Sequence, residues 1–81
     1  MAQVMYVHAS GEPCQTRRMD TPKRASAIGH WLKEAKKAVA KDLGELNPSL
    51  TRYDADIERI VFYLDGGAMI VVDRRANALG R

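Results

Sequence analysis

The sequence predicts an α+β domain: one long amphipathic helix packed on a three- to four-stranded, mostly antiparallel sheet, in the order β-(β)-α-β-β. Three observations predict it. Residues Ile57 to Arg75 hold two runs of β-branched and aromatic residues on either side of Asp65-Gly66-Gly67, which is a hairpin pattern. Between Pro22 and Leu46 the apolar residues recur in steps of three and four, the period of a helix. Gln3-Val4-Met5-Tyr6-Val7-His8 reads as a strand, closed by the turn cluster Ser10-Gly11-Glu12-Pro13.

The hairpin specifies its own register through charge. A three-residue loop, Asp65-Gly66-Gly67, sets Leu64 opposite Ala68, Phe62 opposite Ile70 and Ile60 opposite Val72. It then pairs Arg59 with Asp73 and Glu58 with Arg74. A two-residue loop sets Glu58 against Asp73, or Arg59 against Arg74. Like charges directly opposite are unfavourable by roughly 0.2–1 kcal/mol per pair, so the three-residue loop is expected. In a bulged type I hairpin Gly67 takes the left-handed position, and Val there is expected to disrupt more than Val at Gly66.

Thr21 reads as the helix N-cap, with Pro22 in the first turn. From Ala25 onward Ile28, Leu32, Ala35, Val39, Leu43 and Leu46 make the inward stripe, and Trp31 falls at its edge. Gly44 weakens the last turns and Asn47-Pro48 stops the helix, which spans about Pro22 to Leu43 or Leu46. Cys14 to Met19 offers a weaker second strand. Ser49 to Ala55 reads as a polar connector pinned to the domain by Leu50 and Tyr53. The core is the helix stripe with Ile60, Phe62, Leu64, Ile70 and Val72.

The 81 residues make one small domain, 1–81, with no internal repeat. A hydrophobic fraction of 46% is too high for a disordered chain. The single cysteine, Cys14, rules out an internal disulfide framework and fits a reducing cytosol. With neither a leader pattern nor an apolar run of ~18 residues, a cytoplasmic protein that does not span a membrane is expected. A net charge of +3 permits an acidic partner and argues against an acidic mimic of DNA.

One helix covers one face of a sheet. With Phe62 and Ile70 turned inward, Val61, Tyr63, Met69 and Val71 point outward beside Arg59 and Asp73. Either the connector or the tail after Arg75 folds over these residues, or a partner does, because contiguous apolar surface on a monomer marks association. A homodimer through sheet faces or edges is one solution, since a two-fold axis lets a patch cover its own copy.

The sequence makes no catalytic case. Cys14 with His8 or His30 lacks an orienting third residue and a local signature. Asp54, Asp56 and Glu58 alternate like hard-cation ligands, but no glycine-turned loop completes a site, and the two histidines do not make a zinc pattern. Gly66-Gly67 precedes a strand, whereas phosphate-cradling loops open a helix. No enzyme, cofactor or metal is expected. The motifs of ribbon–helix–helix, helix-turn-helix and double-stranded-RNA-binding families are not present, and the chain carries no other family resemblance.

The expected function is a non-enzymatic binding protein that docks stoichiometrically on a larger protein or nucleoprotein complex through Val61, Tyr63, Met69, Val71 and Arg59. Small inhibitors from phages and mobile elements, anti-CRISPR proteins among them, share this general profile as an analogy of type. The alternative is a dimeric nucleic-acid-binding protein. Its phosphate contacts would come from Lys33, Lys37 and Lys41 on the helix and from the pairs Arg17-Arg18 and Arg74-Arg75.

Overall fold

Antiparallel pairing places the first and the last strands of the chain side by side. A computed structural model describes residues 2–24 and 26–75. Its elements are β1 (Ala2–Val7), β2 (Arg17–Met19), α1 (Ile28–Ala38), α2 (Ala40–Leu43), β3 (Leu50–Ala55), β4 (Arg59–Leu64) and β5 (Met69–Asp73). The sheet order is β2-β1-β5-β4-β3, with every neighbouring pair antiparallel. The class is α+β with one main helix, as expected. Among the described residues the sheet has five strands rather than three or four.

The added strand is β3, in the segment read from sequence as a connector. Asp56 folds it back: its N–H donates to the Arg59 carbonyl at 2.8 Å. Its Oδ1 accepts from the N–H groups of Glu58 at 2.9 Å and Arg59 at 2.8 Å. This is the local hydrogen bonding for which Asp is favoured at turns, and it leaves Ile57 and Glu58 as the tip of a tight hairpin. Thr51 and Tyr53 then supply side chains that suit a pleated strand.

The β4–β5 hairpin has the register that charge complementarity predicts. Arg59 pairs with Asp73, Ile60 with Val72 and Phe62 with Ile70. The Leu64 N–H donates to Ala68 O at 2.9 Å, and the Arg74 N–H donates to Glu58 O at 2.8 Å. The turn itself differs from the expected type. Gly66 has φ 83° and ψ −1°, the third-position dihedrals of a type II turn, and Gly67 follows with φ 93°. Gly67 is left-handed, as expected, and Gly66 is left-handed too, so the backbone gives no ground for a contrast between them.

The helix is shorter than the periodicity suggests and is broken. It begins at Ile28 with Ala27 as an uncapped N-cap, and Thr21 does not cap it. Pro22 is buried in the approach from β2, so it serves packing rather than a first helical turn. Ala25, where the stripe was expected to begin, lies outside the described residues. Val39 interrupts the helix with φ −102° and ψ 20°, and Gly44 ends α2. The inward stripe is Trp31, Ala35, Val39 and Leu43, all buried and spaced by four, with Ile28 and Leu32 only partly buried at its flank. Trp31 is its centre at 1% exposed, not its edge, while Leu46 stands 70% exposed beyond it.

These four residues close over the inner sheet face, which Ala2, Val4 and Tyr6 of β1, Ile60, Phe62 and Leu64 of β4, and Ile70 and Val72 of β5 supply. All five inner-face residues expected from β4 and β5 are buried. At roughly 25 cal/mol per Å² of apolar surface removed from water, this single layer is the main source of stability.

Because both turn glycines hold positive φ, Gly66→Val and Gly67→Val should each destabilise the domain by about 1–2 kcal/mol. Asn at either position should cost less, since it tolerates the left-handed region. Thermal melts of the four variants check this: Val variants that melt with the parent protein contradict the turn geometry.

Candidate functional site

The outer face of the sheet is built by the odd-numbered residues of β1, β4 and β5. Cross-strand pairing sets Met5 beside Val71, Val71 beside Val61, Val7 beside Met69 and Met69 beside Tyr63. Met5, Val61, Tyr63, Met69 and Val71 are all partly exposed, whereas Val7 is buried where it bridges to Pro13. The connector does not fold over this face, because it forms β3 at the sheet edge. The tail after Arg75 lies outside the described residues.

Polar and charged side chains frame the apolar strip. Arg59, Asp73, Gln3 and Arg18 succeed one another across β4, β5, β1 and β2. From β3, Asp54 pairs with Val61 and Arg52 with Tyr63. The Arg52 guanidinium carbon lies 3.9 Å from the Tyr63 ring centroid, a cation–π contact that caps one side of the strip. Arg59 is thus at the rim of the docking surface expected from sequence. Met5 and Arg52 are additions that sequence reasoning missed, although the alternation Val4-Met5-Tyr6 carries the signal for the first.

The basic residues are not gathered. Arg17 Nε and Nη2 hold Asp42 at 2.7 and 3.0 Å, a bidentate pair joining β2 to α2. The hydrogen bond from Arg17 keeps the Asp42 carboxyl below its ordinary range, and the guanidinium charge adds to it against the opposing cost of burial. Arg18 points to the opposite side of the sheet. Lys33 and Lys37 belong to α1, Lys41 to α2 beyond the break at Val39, and Lys37 lies 3.7 Å from Glu34. Arg74 lies 5.1 Å from the Trp31 ring centroid and donates to the Asp56 carbonyl at 2.9 Å. Arg75 reaches Glu58 at 3.6 Å. Two concavities of the described residues gather lysines: a cleft of about 490 Å³ lined by Lys23, Arg24, His30 and Lys33, with Asp20 and Glu34 beside them, and another along the helices lined by Lys33, Lys36 and Lys37, with Glu45 beside them.

The structure does bring Cys14 and His8 together, with Sγ 3.2 Å from Nε2, while Tyr6 packs edge-on against the imidazole. Burial pushes the Cys14 thiol pKa up, and the negative charges of Asp42 and Glu12 push it further. A reactive cysteine needs the opposite environment, one that favours the thiolate. Asp54, Asp56 and Glu58 do not converge: Asp54 lies on the outer face and Asp56 closes its turn. The backbone N–H groups of Arg59 and Glu58 hold the Asp56 carboxyl below its usual range. Among the described residues no group of three His, Cys, Asp or Glu side chains is placed to hold a metal ion, and no helix is long and apolar enough to cross a membrane.

Asp42→Asn should lower the melting temperature at neutral pH by removing the charge-assisted pair with Arg17. Because the folded carboxyl has the depressed pKa, its contribution is full above the unfolded value of ~3.9 and fades as pH falls through the folded one. The gap between parent and variant should therefore be widest near pH 7 and close on acidification. A gap that grows toward low pH contradicts the pairing.

No protein-family model, no curated protein and no solved structure matches this chain.

Proposed function

We propose that this chain is a small non-enzymatic binding protein that docks stoichiometrically onto a larger protein or nucleoprotein complex through the outer face of its sheet. The observation that carries the reading is the one-sided cover. The helical segments close over the inner face, and Met5, Val61, Tyr63, Met69 and Val71 leave a contiguous apolar strip on the other. Such a strip, with an aromatic residue inside it and charges at its rim, has the composition of a protein interface: an apolar centre and a polar border. Blocking a partner's surface by occupying it is what small phage and mobile-element inhibitors do, and the likeness to them is one of type.

A second reading, phosphate-backbone binding, draws on the cleft formed by Lys23, Arg24, His30 and Lys33. It has a narrower base, since Arg17, Lys37 and Arg75 have acidic partners within the chain.

Immobilised protein, exposed to lysate of the cells in which it is made, separates the two. The docking reading expects a stoichiometric partner held by the parent protein and by a Lys33→Glu, Lys37→Glu, Lys41→Glu variant. The same partner should be lost with Val71→Glu and with Tyr63→Glu, both checked for folding by circular dichroism. Recovery of no partner, or of one indifferent to Val71→Glu and Tyr63→Glu, overturns it. Nucleic acid retained only at low salt and lost with the lysine variant favours the second reading.

A further inference from the structure

Among the described residues β3 has no strand beyond it at its outer edge. All six of its residues are exposed, and of the four large apolar side chains that stand most open among the described residues, three lie in it or beside it: Leu50 at 37%, Tyr53 at 49% and Ile57 at 76%. The opposite edge, β2, has only three residues. Short length is one protection against edge-to-edge pairing, and lysine or proline within the strand is another. β3 has neither; its protections are a register shift between Leu50 and Arg52 at the near end and two charges of opposite sign, Arg52 and Asp54, which a partner of complementary charge can satisfy.

The backbone of β3 is set for an additional strand. Asp56 bonds Arg59, and pairing continues with Asp54 opposite Val61 and Arg52 opposite Tyr63. In an antiparallel ladder hydrogen-bonded and non-hydrogen-bonded pairs alternate, so Asp54 and Arg52 turn their N–H and C=O groups toward β4. Tyr53 and Ala55 turn theirs toward the open edge.

We propose that this edge pairs with the same edge of a second copy of the chain, antiparallel about a two-fold axis, with Tyr53 opposite Tyr53 and Arg52 opposite Asp54 of the other copy. Charge complementarity selects this register from a short set. A two-fold axis through an antiparallel pair centres on one residue, which then faces itself. Centring on Arg52 sets two guanidinium groups together, and centring on Asp54 sets two carboxylates together. Centring on Ala55 places Asp54 against Asp56, and centring on Thr51 carries the pairing back to Pro48, which has no N–H to donate. Only Tyr53 as centre gives opposite charges, and symmetry gives them twice. In that register the Tyr53 pair exchanges backbone hydrogen bonds, while Arg52 and Asp54 become non-hydrogen-bonded neighbours, the pairs whose side chains approach most closely. Asp54 makes no ion pair among the described residues, so it is available. The product is a continuous ten-stranded sheet with both helical layers on one side.

This inference does not rest on the docking reading, since edge pairing leaves the outer faces open. Sedimentation equilibrium of the parent protein at high micromolar concentration should show a dimer. Arg52→Asp and Asp54→Arg alone should each weaken it by about tenfold or more, because each change turns both symmetric contacts repulsive. The combined Arg52→Asp, Asp54→Arg protein should recover it. Val71→Glu should leave it unchanged. A monomeric parent, single variants that dimerise as well as the parent, or a double variant that stays dissociated while folded by circular dichroism overturns the proposal. So does a dimer that Val71→Glu abolishes, which would place the contact on the sheet face.

Discussion

The cover available to the sheet is the constraint from which the other features follow. Trp31, Ala35, Val39 and Leu43 make one apolar ridge, and that ridge packs on one side of β1, β2, β4 and β5. Pleating sends alternate residues of every strand to the opposite side, so each buried residue of β4 and β5 is accompanied by a neighbour facing outward. Ile60, Phe62, Ile70 and Val72 are dry, while Val61, Tyr63, Met69 and Val71 are apolar without a helix over them. A strand whose outer residues were charged would need no explanation beyond solubility. Here four of them are apolar and adjacent.

Electrostatics ties the layers together and thereby limits what the basic residues do outside. Arg17 crosses from β2 to Asp42 on α2, Arg74 crosses from the end of β5 to the Trp31 ring, and Asp56 holds the β3–β4 turn through backbone N–H groups. Exposed ion pairs contribute little alone, but the bidentate geometry at Arg17 and the partial burial of Asp42 make this one structural. The positive net charge consequently overstates the surface free to meet an acidic partner.

What the sequence makes legible follows from how local the determining contacts are. The β4–β5 register can be read because Arg59 and Asp73, or Ile60 and Val72, are brought together by one short turn. The outward set Val61, Tyr63, Met69 and Val71 follows from the same alternation. The helix start is harder to read, since Pro22 is placed by burial against the rest of the domain, and the face that turns inward is set by tertiary packing, which brings Trp31 over the sheet. β3 escapes notice for a different reason. Alternating hydrophobicity records burial on one side, and an edge strand exposed along its whole length shows no such record. Arg17 and Asp42 lie 25 residues apart, and nothing in their local sequence joins them.

The central claim, that the sheet is covered on one side only, can be measured through its methionines. Met19 is buried at 5% exposure on the covered side, whereas Met5 and Met69 are partly exposed on the other. Oxidation of the folded monomer by dilute peroxide, followed site by site with mass spectrometry, should convert Met5 and Met69 to sulfoxides well before Met19. Met5 and Met69 as resistant as Met19 would mean that the outer face is already sealed within the chain, and the account of an open docking surface would be wrong.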